Sequence, residues 1–452
     1  MSEVVKDLYG RRMYPAMSHP VADPAVVAVA AALAGLDATH PAEARILEIG
    51  CCSGHNLIPL AMRWPESRFT GVDLSERGIA AARELATIAG LGNIGFHAGD
   101  IRDFRREGEG FDFIIAHGFF SWVEDEVKLA MLDFCRENLA SNGVAVVSFN
   151  VTAGWRARFP VVLKARAILE AGAGDLMTAL RILSTVTDGE STEMAVIDDM
   201  LAKGEDILAF DDFGPVNDPW SFRDFVALAA RHGLRWLGES DPGKNLPEGI
   251  DAGVLLEIAD KSPDPLAFQD AADEAAGRTF RAGLLCRSDA ALADSVSLER
   301  IFEFSARAGS VPEDPEDLKI RTAIAADHPL CLSLAGLEFK LPGADWNTVA
   351  RRVYDGMHHG WILPRIEPVW FDPEVPEFPK LNAFRLECAR RMLPVVDVWH
   401  KPCSFPKAHY QVLAAMDGTR SSSELREISR AECPELAFGP WLSHLAERGM
   451  FA

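Results

Sequence analysis

No stretch of this 452-residue chain is long and apolar enough to span a bilayer. The most apolar run, Ala25 to Leu36, is 12 residues, against the roughly 20 that hydrocarbon demands. The opening segment, MSEVVKDLYGRRMY, has no apolar core behind a basic start, so no secretion signal is expected. Cysteine is sparse: eight residues, at 51, 52, 135, 286, 331, 388, 403 and 433, without a disulfide-framework rhythm. Reduced thiols and a cytoplasmic location are the expectation. C-x-x-C and H-x-x-x-H pairs are missing, Cys51-Cys52 and His358-His359 being merely adjacent, so no metal site is expected. Basic residues are outnumbered 45 to 67, a net charge of −22. That excludes general nucleic-acid binding, which needs a basic face, and disfavours docking on anionic lipid. Internal repeats and low-complexity tracts are absent.

What is present is a globular composition, 48% hydrophobic and 25% charged, in a chain long enough for several domains. The first 150 residues alternate strand-like and helix-like segments. ARILEIG (44–50), SRFTGVDL (67–74), NIGFHAGD (93–100), FDFIIAH (111–117) and NGVAVVSFN (142–150) read as strands. Between them NLIPLAMRW (56–64) is helical and stops at Pro65. A second helix opens at Ser75 as N-cap, and a third carries Val127, Ala130, Met131 and Phe134 on one stripe. Ahead of them Asp23-Pro24 caps the 25–36 helix. Such alternation predicts a parallel sheet covered on both faces. From 151 to about 240 the pattern turns helical. GIDAGVLLEI (249–258) reads as a strand, and the segment through RTFRAGLLCRS returns to helix. EPVWFDPEVPEFPK (367–380) is too proline-dense for a regular element and marks a linker or domain edge. Three short helical units follow Phe405, the second opened by a Ser421–Glu424 capping box.

The chemistry concentrates at strand ends. Glu48, Gly50 and Gly54 occupy the turn after the first strand, where glycines let a ligand approach the backbone. A dinucleotide fold wants G-x-G-x-x-G there, and the third glycine is missing. An acid at that strand end repels phosphate and attracts an amino group. Asp73 ends the second strand, placed for the two hydroxyls of a ribose. Asp100, with Ile101 behind it, ends the third, placed for an adenine edge and face. Taken singly, each acid reads as a helix cap; three in register suit S-adenosylmethionine, which has ammonium, ribose and adenine and no phosphate. Cys51, Asn56 and Leu74 lie beside these acids and join the expected cofactor set.

On LEIGCCSGHNLIPLAMRWPESRFTGVDLS (47–75), FDFIIAHGFFSWV (111–123) and NGVAVVSFNVTAGWR (142–156), the chain resembles the class I S-adenosylmethionine-dependent methyltransferases that carry a methyltransferase regulatory domain. The resemblance continues through 211–239 and 278–289 and touches SHPVADP (18–24) and MDGTRSSSELREI (416–428). Some members of that family methylate lysines of bacterial outer-membrane proteins. The resemblance implies a Rossmann-like domain over 1–155 with an N-terminal helical extension, a mainly helical regulatory domain over 156–290, and a C-terminal domain over 291–452, winged-helix-like from about 400. It also places His117 at the substrate mouth, beside both cofactor and acceptor, with Phe119, Phe120 and Trp122 as an aromatic wall. Tyr14 and Trp155 are lesser candidates for the same mouth. The expected catalytic set is His117, Trp122 and Tyr14. Departures from the family pattern are His55 where glycine is common before Asn56, Phe149 for tyrosine, Ala153 for proline, and Phe119-Phe120 for valine-tyrosine.

The expected activity is methyl transfer from S-adenosylmethionine to an acceptor, either a protein lysine amine or a small metabolite or natural product. A non-catalytic protein that binds the same cofactor is the alternative from another class; a dinucleotide oxidoreductase is disfavoured by Glu48 and the missing glycine. The tail could bind DNA as winged helices do, but from His400 to Ala452 six basic residues meet six acidic ones, so a protein contact or packing role is expected. Sequence leaves the acceptor and the oligomeric state open.

Overall fold

A computed structural model describes residues 13–106, 108–247, 249–294 and 296–452; most of the opening segment read for a secretion signal lies outside them. The strand-like runs form β1 (Arg45–Ile49), β2 (Arg68–Asp73), β3 (Ile94–Ala98), β4 (Phe111–Ala116) and β5 (Leu139–Asn150). They lie parallel in the order β3-β2-β1-β4-β5. β4 is buried along its whole length, as a strand covered on both faces must be. Helices α1 (Pro24–Leu33), α2 (Leu57–Arg63), α3 (Glu76–Ile88) and α4 (Asp125–Asn138) supply the cover. Asp23 caps α1 through the Ala25 amide, and Ser75 caps α3 through the Gly78 amide. α4 buries Val127, Met131 and Phe134.

The sheet does not end at β5. β6 (Leu234–Glu239) and β7 (Phe280–Arg287) extend it in the order β5-β7-β6, both pairings antiparallel. Both segments read as helix in the sequence. Each follows a helix after only two or three intervening residues, α9 (Phe222–Arg231) before β6 and α11 (Pro265–Ala276) before β7, so periodicity alone ran the pairs together. Gly233 and Gly277, both at positive φ, mark the true helix ends. The reverse correction applies to 249–258: Ala252–Lys261 is a helix, α10, capped by Asp251, and buries none of its residues. Arg281, 1% exposed, ties these pieces together. It donates to Glu239 on β6 at 2.6 Å and to Asp273 on α11 at 2.8 Å. Three buried charged groups in one knot hold the strand pair in register.

Helices α5 (Thr152–Glu170), α6 (Leu176–Val186), α7 (Thr192–Lys203) and α8 (Glu205–Phe210) precede α9 and share a core around Val161, Leu180, Ile197 and Leu208. α5 starts two residues after β5, and Gly154 lets it seat against the turn before β7. A Cβ there would lie 2.5 Å from the Gly277 carbonyl oxygen. Beyond residue 290, β8 (Ser305–Ala308), β9 (Leu332–Ser333) and β10 (Ile362–Arg365) form a small antiparallel sheet. The proline-dense 367–380 segment has no helix and only edge bridges. The tail carries helices Lys407–Ala414, Ser422–Glu432 and Phe438–Glu447, the second with the Ser421–Glu424 capping box. Among the described residues no helix is long and apolar enough to cross a membrane.

Candidate functional site

The carboxyl ends of β1 to β4 open into a cavity of about 650 Å³. Its lining brings together Tyr14, Glu48, Gly50, Cys51, Asn56, Asp73, Leu74, Asp100, Ile101, His117 and Trp122. Of the residues expected to hold the cofactor, Gly54 alone stays out of the lining. It supports the loop from behind, where a Cβ would meet the Phe96 ring at 2.8 Å. Gly50, Cys52 and Gly54 all take positive φ, so the chain turns tightly between β1 and α2. Cys51 contributes backbone; its thiol packs under Gly71, where a Cβ would come within 2.6 Å of the sulfur.

Glu48 is 4% exposed. Its Oε1 accepts from Asn56 Nδ2 at 2.8 Å, and its Oε2 is buried with no partner among the described residues. Burial pushes its pKa up to about 8, with Asp73 adding to the shift and Asn56 opposing it. Such a carboxylate lacks a cation. Asp73 accepts the Cys52 amide on Oδ2 at 2.8 Å and the Ser75 amide on Oδ1 at 2.7 Å. Each oxygen keeps a lone pair for a hydroxyl, while burial raises the group. Asp100 holds Arg102 in a two-pronged pair, with Arg102 Nη2 2.7 Å from Oδ2. Arg102 thus shares the carboxylate expected at an adenine edge. Ile101 is buried behind it.

His117 follows β4 and stacks on His19, ring centres 3.9 Å apart, with Phe280 tilted at 5.5 Å. Its Nδ1 is shut from solvent and unpartnered, and burial, then the neighbouring His19, hold its pKa well below the ordinary imidazole value. Phe119 and Trp122 face the cavity, whereas Phe120 does not: it is fully buried between Trp220 and Phe225, so the expected aromatic wall loses that member. Trp155 replaces it, edge-on to Trp122 at 6.2 Å and fixed by its indole N–H donating to the Thr279 carbonyl.

Sequence reasoning missed three contributors. His400, fully buried and at positive φ, donates from Nε2 to Asn56 Oδ1 at 2.8 Å. The His19 amide donates to the same oxygen at 2.9 Å. That backbone donor fixes which end of the Asn56 amide is oxygen, so its nitrogen must face Glu48. His55 lines the cavity, and its ring meets Ser53 Oγ at 3.0 Å and Cys388 Sγ at 3.6 Å, anchoring the turn to the helix at Ala383–Arg390. Asp211, after α8, accepts from the Tyr14 hydroxyl at 3.3 Å. No local pattern announces these: 344 residues separate His400 from Asn56, and 197 separate Asp211 from Tyr14.

The buried lone oxygen of Glu48, the acceptor pair on Asp73 and the glycine turn fit an ammonium and a ribose and offer no cation to a diphosphate. The comparisons agree with that reading. Residues 46–143 match the family described as a methyltransferase domain, and residues 204–287 match that described as a predicted methyltransferase regulatory domain. The chain is 28% identical over 325 residues to the uncharacterised protein RP789 of Rickettsia prowazekii, 68% of this chain and 57% of that protein. It is 38% identical over 110 residues to a malonyl-[acyl-carrier protein] O-methyltransferase of Bacillus cereus, 24% of this chain and 39% of that one. It therefore spans little more than half the length of RP789. The fold is shared with PKMT2 of Rickettsia typhi, solved in complex with AdoHcy, at a TM-score of 0.82 and 18% identity, covering 97% of this chain and 99% of that one. The chain accordingly has a Rossmann-like fold, with a methyltransferase domain matched over 46–143 and a methyltransferase regulatory domain matched over 204–287.

Proposed function

We propose that the protein transfers a methyl group from S-adenosylmethionine to an amine of a protein side chain. The observation that carries the donor half is the unpartnered Glu48 Oε2 beside Asp73 at one sheet edge. The AdoHcy complex of PKMT2, whose fold this chain shares, supports the same occupant. Glu48, oriented by Asn56, holds the amino group, Asp73 the ribose, and Ile101 and Leu74 the adenine faces. When bound, the donor supplies an electrophilic methyl on a sulfonium. The chain's own work is to bind it, to exclude water with Trp122, Trp155 and Phe119, and to present an acceptor in line. An acceptor amine attacks with its lone pair, so it must shed its proton before the methyl moves; an apolar, aromatic mouth lowers its pKa. His117 lines the same cavity, but burial disfavours its charged form, so loss of the amine proton rests on desolvation of the amine rather than on this ring. The aromatic faces also favour a cation before it is deprotonated.

Incubation with methyl-labelled S-adenosylmethionine and a cell lysate tests the reading. Label is expected in protein, on hydrolysis as methylated lysine. Label appearing solely in small molecules would move the acceptor to the metabolite class, and no transfer with intact AdoHcy binding would leave a cofactor-binding protein.

A further inference from the structure

Three carboxylates and two cations gather where α5, α7 and α8 close the cavity. Arg158 donates to Asp212 from Nε at 2.8 Å and to Asp199 from Nη1 at 2.8 Å. Lys203 reaches Asp212 at 3.0 Å and Asp199 at 3.7 Å. Asp212 and Asp199 thereby take both cations. Asp211 is left over: among the described residues its carboxylate has no cation within ion-pair distance, and it accepts one hydrogen bond, from Tyr14. Aromatic groups surround it. Phe210 precedes it and meets the Tyr14 ring edge-on at 5.4 Å, and Trp155 lines the same cavity. Tyr14 also ties this end to the glycine turn, its carbonyl oxygen lying 3.8 Å from Cys52 Sγ.

We propose that Asp211 is the acceptor-binding carboxylate, holding the ammonium of an alkylamine side chain that enters between Tyr14, Phe210 and Trp155. The inference rests on the methyltransferase reading and adds to it the residue that selects a cationic acceptor. Its logic is charge balance. A half-buried acid with no counter-ion among the described residues, beside aromatic rings, is stabilised by a cation with an apolar stem. Burial holds Asp211 up to about 6 despite the nearby Lys203, the state of a carboxylate that lacks a partner. A neutral or anionic acceptor gains nothing from that arrangement.

Binding to the full-length protein saturated with AdoHcy tests it, with Ala-Lys-Ala blocked at both termini as probe and its norleucine counterpart as the uncharged control. The wild type is expected to prefer the lysine peptide by about tenfold or more, a charge-assisted hydrogen bond's worth. Asp211→Asn should lose that preference while AdoHcy affinity stays within about twofold. Tyr14→Phe, which keeps the carboxylate, should retain most of it. A preference unchanged in Asp211→Asn overturns the proposal, as does a loss of AdoHcy affinity in step with it. A wild type that does not bind AdoHcy overturns the methyltransferase reading instead.

Discussion

At the residue scale the donor site is defined by an acid kept out of water without a cation. Glu48 would be an ordinary surface carboxylate if Asn56 and the β1–α2 turn did not enclose it. Its pKa near 8 lies above that of the unfolded chain, so the folded protein binds a proton there that the unfolded chain releases. The contribution of this group therefore favours the fold at low pH and is lost as pH climbs toward 8. An ammonium seated on Oε2 reverses the balance by expelling that proton. AdoHcy affinity should accordingly rise from about pH 6 toward 8, by at most tenfold per pH unit, and Glu48→Gln should flatten the rise. Calorimetry in buffers of different ionisation enthalpy reads both the affinity and the released proton. Affinity that is flat or falling over that range in the wild type would show that no cation meets Glu48.

At the scale of elements, the loop between the short strands β11 (Val395–Val396) and β12 (Pro402–Cys403) carries the decisive contact. It brings His400 under the donor site, with the His400 carbonyl accepting from Ser18 Oγ at 2.9 Å. Asp23, at the start of α1, joins the same cluster through Arg63 at 2.8 Å and Arg365 at 2.9 Å. The residues that orient Glu48 thus come from the two flanks of the chain, not from the sheet alone. His400→Ala removes one of two donors to Asn56 Oδ1 and should weaken AdoHcy by roughly three- to tenfold, about one ordinary hydrogen bond. His400→Gln, which can still donate, should recover most of that loss. Wild-type affinity in His400→Ala would separate the C-terminal region from the donor site.

At the scale of the whole molecule, the first five strands, their order of chemistry and the three strand-end acids were legible because each is local: a short apolar run, then a turn, then an acid. β6 and β7 were not legible, since Leu234–Glu239 and Phe280–Arg287 follow helices after only two and three intervening residues. β7 takes its strand character from pairing with β5, a segment more than a hundred residues away, and β6 takes its own from pairing with β7. The same reason hides Asp211 and His400, whose roles exist only once distant segments meet. Phe120 shows the converse: its neighbours in sequence line the cavity, and rotation within a single turn sends it to the core. The account's central claim is that this cavity binds the methyl donor through Asp73, and titration calorimetry of AdoHcy against wild type and Asp73→Ala tests it most directly. The wild type should bind AdoHcy, with NADH and ATP binding negligibly beside it, and Asp73→Ala should lose about 1–3 kcal/mol of that affinity while remaining folded. A folded Asp73→Ala variant with undiminished AdoHcy affinity, or a wild type that prefers a dinucleotide, would contradict it.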